Sequence, residues 1–172
     1  MRFARALALP LAGMALAACG TTQSTVFSSV GESLSPGLTL RSIQVEPVER
    51  EQAAIAMAFD ADAAAALLVV VPDDLDFHTD ALVCVYLGER PTAGWGLDLQ
   101  TASLVDGELH ILARETRPRG TVDEVVTYPG DCGVVNRNAL PAGDLAVRAD
   151  DTISDEFIVG GDVTVPVPES AP

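Results

Sequence analysis

The chain has no lysine, two histidines, one tryptophan and three cysteines in 172 residues, and each shortage closes off a class of function. Ten arginines face 25 acidic residues, for a net charge of −15. Nucleic-acid binding needs basic groups that displace phosphate counterions, so a surface this acidic is not expected to bind it. The same charge repels anionic lipid headgroups. His78 and His110 show no metal-ligand spacing with a cysteine. The sequence contains no Gly-x-Ser-x-Gly, no His-Glu-x-x-His, no phosphate loop and no dinucleotide fingerprint. A Ser-His-Asp site would have to recruit one of two histidines with no motif around either. Asp60/Asp62 and Asp73/Asp74/Asp76 are acidic clusters without the ligand spacing and central glycine of a calcium loop, and turn or cap roles account for them. The expectation is therefore a protein with no catalytic residues, no metal and no cofactor. Aromatics are only 5% of the chain. Valine, leucine and alanine are plentiful, so a folded aliphatic core is expected rather than disorder.

There is also no apolar run long enough to span a bilayer as a helix. The longest, Ala6 to Ala18, follows Arg2 and Arg5 and ends Leu16-Ala17-Ala18-Cys19. A positive start, a short apolar stretch and small residues before a cut site make an export signal. A cysteine directly after those small residues resembles the lipobox of bacterial lipoproteins. That resemblance implies a signal peptide over 1–18 and palmitate-class acylation at Cys19. The mature protein would be held to a membrane of the bacterial cell envelope, facing outside the cytoplasm. More than one acyl chain is needed for stable anchoring.

Cys84 and Cys132 remain. In an oxidising compartment a single disulfide between them is the natural reading; a metal pair and a reactive thiol are the alternatives.

Residues 19–37 are rich in Ser, Thr and Gly and read as a flexible tether. Residues 38–150 are the expected domain. Residues 151–172 are an extension expected to be partly disordered, in which Phe157–Val159 has the pattern of an added edge strand. Strand signals dominate the domain: Ile43–Glu46, Ile55–Phe59, Leu97–Gln100, Glu108–Ala113, Val122–Tyr128, Gly133–Val135 and Leu145–Arg148. Ala81 to Leu87 is continuously apolar and predicts a central strand buried on both faces. Asp106-Gly107 between two strand patterns predicts a hairpin. Asp60 to Leu68, alanine-rich behind a capping Asp, is the one predicted helix. The fold class is mainly β: a small antiparallel sandwich or roll with at most one or two short helices.

One loop stands out. Gly88-Glu89-Arg90-Pro91-Thr92-Ala93-Gly94-Trp95-Gly96 holds the only tryptophan. Pro91 fixes φ and Gly94 permits positive φ, so the turn is defined. Trp95 either covers the core at the strand start or serves as a recognition residue, since tryptophan and arginine are enriched at binding hot spots.

Asp76-Phe77, then ALVCVYLG, then ERPTAGWG, then ETRPRGTVDEVVTYPG resemble the C-terminal domain family of the protease complex subunit PrcB over roughly 73–150. The shared features are Asp-Phe before an apolar strand ending Leu87-Gly88, the Arg90-Pro91-Thr92-Ala93-Gly94-Trp95 turn, Pro118-Arg119-Gly120 and Thr127-Tyr128-Pro129. Ala93 and Trp95 stand where Gly and Tyr are usual. The resemblance implies a non-enzymatic lipoprotein that binds a protein partner, an exported protease whose maturation or stability it supports. Arg90, Pro91, Thr92, Gly94 and Trp95 would make the contact. The same loop is similar to the Asn-Pro-Thr-Thr-Gly-aromatic loop of chagasin-like cysteine protease inhibitors, which implies instead an inhibitor using Pro91–Gly96.

Overall fold

The structure is a computed structural model that describes residues 38–167. The expected signal peptide, Cys19 and the expected tether lie outside the described residues.

The chain forms two four-stranded sheets. The first contains β1 (Arg41–Ser42), β2 (Ala53–Ala58), β3 (Asp80–Leu87) and β6 (Gly130–Asn136), in the order β1-β6-β3-β2, all antiparallel. The second contains β4 (Gly96–Val105), β5 (Glu108–Thr116), β7 (Gly143–Asp151) and β8 (Phe157–Val165), in the order β4-β5-β7-β8. The expected mainly β fold is observed. One pair departs from pure antiparallel order: β5 and β7 run parallel. Between them the chain leaves the second sheet, crosses to the first as β6, and returns. A parallel neighbour requires such a crossover.

The core follows from side-chain alternation. Val83 and Val85 of β3 and Val135 of β6 point between the sheets, where they meet Leu109, Ile111, Leu145 and Val147. The opposite face of β3 carries Leu82, Cys84 and Tyr86. That face is covered as well, by Ala64, Leu67 and Leu68, with Ile43, Val45, Val71 and Phe77 at its margin. A strand buried on both faces has no polar side to show, which is why Ala81 to Leu87 is apolar throughout.

The helix α1 (Ala61–Ala65) begins where Asp60 accepts the Ala63 N–H at 2.7 Å. It ends earlier than the alanine run predicts. Beyond Ala65 the backbone pairs elsewhere: Val48 N–H donates to Leu67 O at 3.0 Å and Val69 N–H to Glu46 O at 2.8 Å. The sequence there turns to β-branched Val69–Val71 and then Pro72, which disfavour helix. Those bonds also account for Ile43–Glu46. Its alternation sends Ile43 and Val45 inward, but β1 stops at Ser42 and the segment pairs only through an isolated bridge at Pro47.

Asp106 and Gly107 both have positive φ, 51° and 85°, and close the expected β4–β5 hairpin. Two such residues match the right-handed twist of the strands. Val122–Tyr128 is not a strand: it is an irregular strap with a single bridge, Thr127 to Arg90. Its Val125 and Val126 are 56% and 50% exposed, so their β-branched pattern reflects no sheet face. The second sheet runs past the expected boundary at 150, since β8 pairs with β7 from Phe157 to Val165 and Val165 is buried. Phe157–Val159 is the start of that edge strand.

Candidate functional site

The loop between β3 and β4 is built by backbone constraint. Gly88 turns the chain at φ 77° against the start of β2. A Cβ there would lie 2.6 Å from Ala53 N and 2.9 Å from Glu51 O, so only glycine fits. Glu89 N–H donates to Glu51 O at 2.9 Å. Arg90 and Thr127 exchange both backbone bonds, at 2.8 and 2.9 Å, and Ala93 N–H donates to Asp123 O at 3.0 Å. The Thr127 hydroxyl donates to Thr92 O at 3.1 Å. Gly94 turns at φ 86°, with Pro118 3.2 Å from where its Cβ would stand. The loop is thus stitched to the 117–129 strap, which is why that strap does not join a sheet.

The Arg90 guanidinium sits 5.1 Å above the Trp95 ring centroid, a cation–π distance. The Trp95 indole N–H donates to the Thr92 hydroxyl at 3.2 Å. Arg90 Nε is buried with no hydrogen-bond partner among the described residues. The structure therefore brings Arg90, Thr92 and Trp95 into one unit, with Pro91 and Gly94 exposed at its tip. Trp95 is half-buried and is not among the residues of the inter-sheet core.

Beside Trp95 is a recess of 330 Å³ walled by Pro47, Tyr128 and Pro129 and rimmed by Glu46 and Glu49. The Tyr128 hydroxyl is pushed up from its ordinary value by desolvation, and further by Glu89, Glu49 and Glu51 around it. This side of the loop is acidic and aromatic. Sequence reasoning missed it because Glu49, Trp95 and Tyr128 are far apart in the chain and are joined through long-range bonds such as Glu89 to Glu51 and Arg90 to Thr127.

Cys84 and Cys132 form a disulfide across β3 and β6, with Cα atoms 4.1 Å apart and a sequence separation of 48. Both are fully buried. The loop closed by this bridge contains the candidate loop, the β4–β5 hairpin and the strap, so the bridge fixes both ends of the segment that carries the site.

The histidines lie elsewhere. His78 is exposed and its backbone N–H donates to Asp76 Oδ1 at 3.0 Å. His110 Nε2 is 3.2 Å from Glu108 Oε2 on the same face of β5. Among the described residues no hydroxyl or thiol bonds either ring. Nor is there a group of three or more His, Cys, Asp or Glu side chains placed to hold a metal ion among them. Asp60 caps α1, and Asp76 accepts within its own turn. No helix among the described residues is long and apolar enough to cross a membrane.

No protein family, curated protein or solved structure matches the chain.

Proposed function

We propose that this is a non-enzymatic lipoprotein of the bacterial cell envelope, anchored through Cys19, that binds a protein partner with the Arg90–Trp95 loop. The observation that carries the reading is the loop's construction. Backbone bonds to Glu51, Asp123 and Thr127 hold it in place while Pro91 and Gly94 stay exposed. A pre-ordered loop loses little entropy on binding. Val125 and Val126, both exposed, lie on the strap between its two attachment points, Asp123 and Thr127. Exposed apolar groups next to a rigid aromatic–arginine pair are the make-up of a contact surface.

The motif resemblance to PrcB-type subunits makes an exported protease the partner, with the loop supporting its maturation or stability. A second reading has the same exposed tip entering a cysteine protease cleft in the manner of chagasin-like inhibitors. The acidic recess beside Trp95 favours a partner surface that is basic where it meets Glu46 and Glu49.

The test is photocrosslinking in intact envelopes. Benzoylphenylalanine replacing Pro91 or Val125 should trap one defined envelope protein, while the same probe replacing exposed Asp162 on β8 should trap none. Equal adducts at all three positions, or none at Pro91 and Val125, refute the reading. Inhibition of a papain-type protease by the purified protein would select the inhibitor reading.

A further inference from the structure

We infer that the recess between the end of β5 and the β7–β8 turn is a docking site for an extended acidic–apolar peptide segment of another protein. Of the eight arginines among the described residues, three fall within Arg114–Arg119, in a chain with no lysine. All three line one recess of 690 Å³, together with Pro118, Val122 and Ile153. That volume suits a few residues of peptide rather than a lone small anion.

The three arginines differ in what already occupies them. Arg117 bonds Glu115 at 3.2 Å and Glu156 at 3.1 Å, which ties the end of β5 to the turn before β8. Arg114 and Arg119 are exposed and have no carboxylate partner among the described residues. The two acids that line the wall offer them none either: Glu115 is bonded to Arg117, and Asp151 is occupied by its own turn. Asp151 accepts from the Glu115 and Ser154 N–H groups, both at 3.0 Å, and from the Ser154 hydroxyl at 2.7 Å. These bonds, the one from Glu115 foremost, hold its carboxyl below the ordinary value.

The same bonds fix the turn that presents Ile153. Thr152 N–H donates to Ala113 O at 2.8 Å and Asp155 N–H to Asp151 O at 2.9 Å. Ile153 is thereby held 73% exposed at the recess edge. Available guanidinium groups beside a fixed apolar wall complement carboxylates alternating with apolar side chains. Guanidinium forks bind carboxylates through paired N–H donors. The protein's net negative charge acts against long-range attraction of an acidic ligand, so recognition is local and the segment needs few carboxylates. Gly94 of the proposed contact loop also lines this recess, but the residues the inference rests on, Arg114, Arg119 and Ile153, lie outside that loop, so their variants test it separately.

The experiment titrates purified protein into a fluorescein-labelled hexapeptide of alternating Glu and Leu and follows anisotropy. Saturable binding is expected. Arg114→Gln and Arg119→Gln should each weaken it about fivefold or more, and Ile153→Ser should weaken it too, with unfolding temperatures unchanged because all three side chains are exposed. Arg41→Gln, at a distant surface pair with Asp74 and Asp80, is the control and should bind as wild type. An alternating Lys and Leu hexapeptide should not bind through this recess. No saturable binding, or equal binding by the Arg114→Gln and Arg119→Gln variants, overturns the inference. Preferential binding of an oligothymidylate of matched charge overturns it as well, by making the recess a nucleic-acid site.

Discussion

Opening the Cys84–Cys132 bridge should lower the unfolding temperature far more than its two buried sulfurs explain. The bridge joins cysteines at a sequence separation of 48. In the chain-entropy treatment a loop of that length removes about 4 kcal/mol of conformational freedom from the unfolded state. The domain spans about 130 residues, so its unfolding entropy is about 0.27 kcal/mol/K, and the loss corresponds to about 15 °C. Packing changes little, because both thiols remain as small apolar groups in a fully buried site. The assay is calorimetry of the protein with and without reductant, after complete reduction in denaturant and refolding. The Cys84→Ala/Cys132→Ala variant should lose a similar amount plus a small packing cost, and its transition should ignore reductant. A fall below about 4 °C on reduction would refute the loop-closure reasoning. Retention of loop structure in the unfolded chain would then be the physical alternative.

Three further outcomes are expected. Gly88→Ala should cost about 2 kcal/mol or more, since a positive φ and backbone atoms at 2.6–2.9 Å leave no room for Cβ; Gly107→Ala, with open space around it, should cost only the turn strain, and equal costs by chemical denaturation would contradict the argument. Asp131 accepts the Leu99 N–H at 2.8 Å, and its carboxyl is raised above 3.8, chiefly by burial. A raised folded pKa favours folding while the group is protonated, so that contribution is lost as pH rises from the unfolded value through the folded one. Asp131→Asn keeps the acceptor and should gain stability relative to wild type over that rise in thermal scans between pH 3.5 and 7; a constant difference would show that burial of the charge is not felt. Cys19→Ser should leave an uncut precursor or release the protein from membranes, and unaltered detergent-phase partitioning would contradict lipid anchoring.

What the sequence reveals and what it hides divide along physical lines. Ala81 to Leu87 is readable because burial on both faces leaves no polar position. Asp106-Gly107 is readable because a two-residue hairpin demands positive φ at both positions. Both are local constraints. Val122–Tyr128 misleads because its β-branched residues have strand propensity, but the strap spends its backbone bonds on the loop, at Arg90 and Ala93, instead of on a sheet edge. The alanine run misleads because the backbone at Leu67 and Val69 bonds Val48 and Glu46, and β-branched residues and Pro72 follow. For the site, Pro91, Gly94 and Trp95 mark a defined turn in the sequence alone. Their attachment to Thr127 and Asp123, the acidic recess at Tyr128 and the arginine recess at Ile153 all depend on pairings between distant segments. No single-sequence pattern encodes them.

The central claim is that the Arg90–Trp95 loop is a contact surface and not only a brace for the strap. The most direct measurement pairs capture with stability in one variant, Pro91→Asp/Val125→Asp. Both side chains are exposed and neither supplies a side-chain bond to the loop. Partner capture from crosslinked envelopes should fall about thirtyfold, the cost of losing a binding anchor worth roughly 2 kcal/mol, while the unfolding temperature stays within about 3 °C of wild type. Undiminished capture by the folded variant, or loss of the fold itself, would contradict the account.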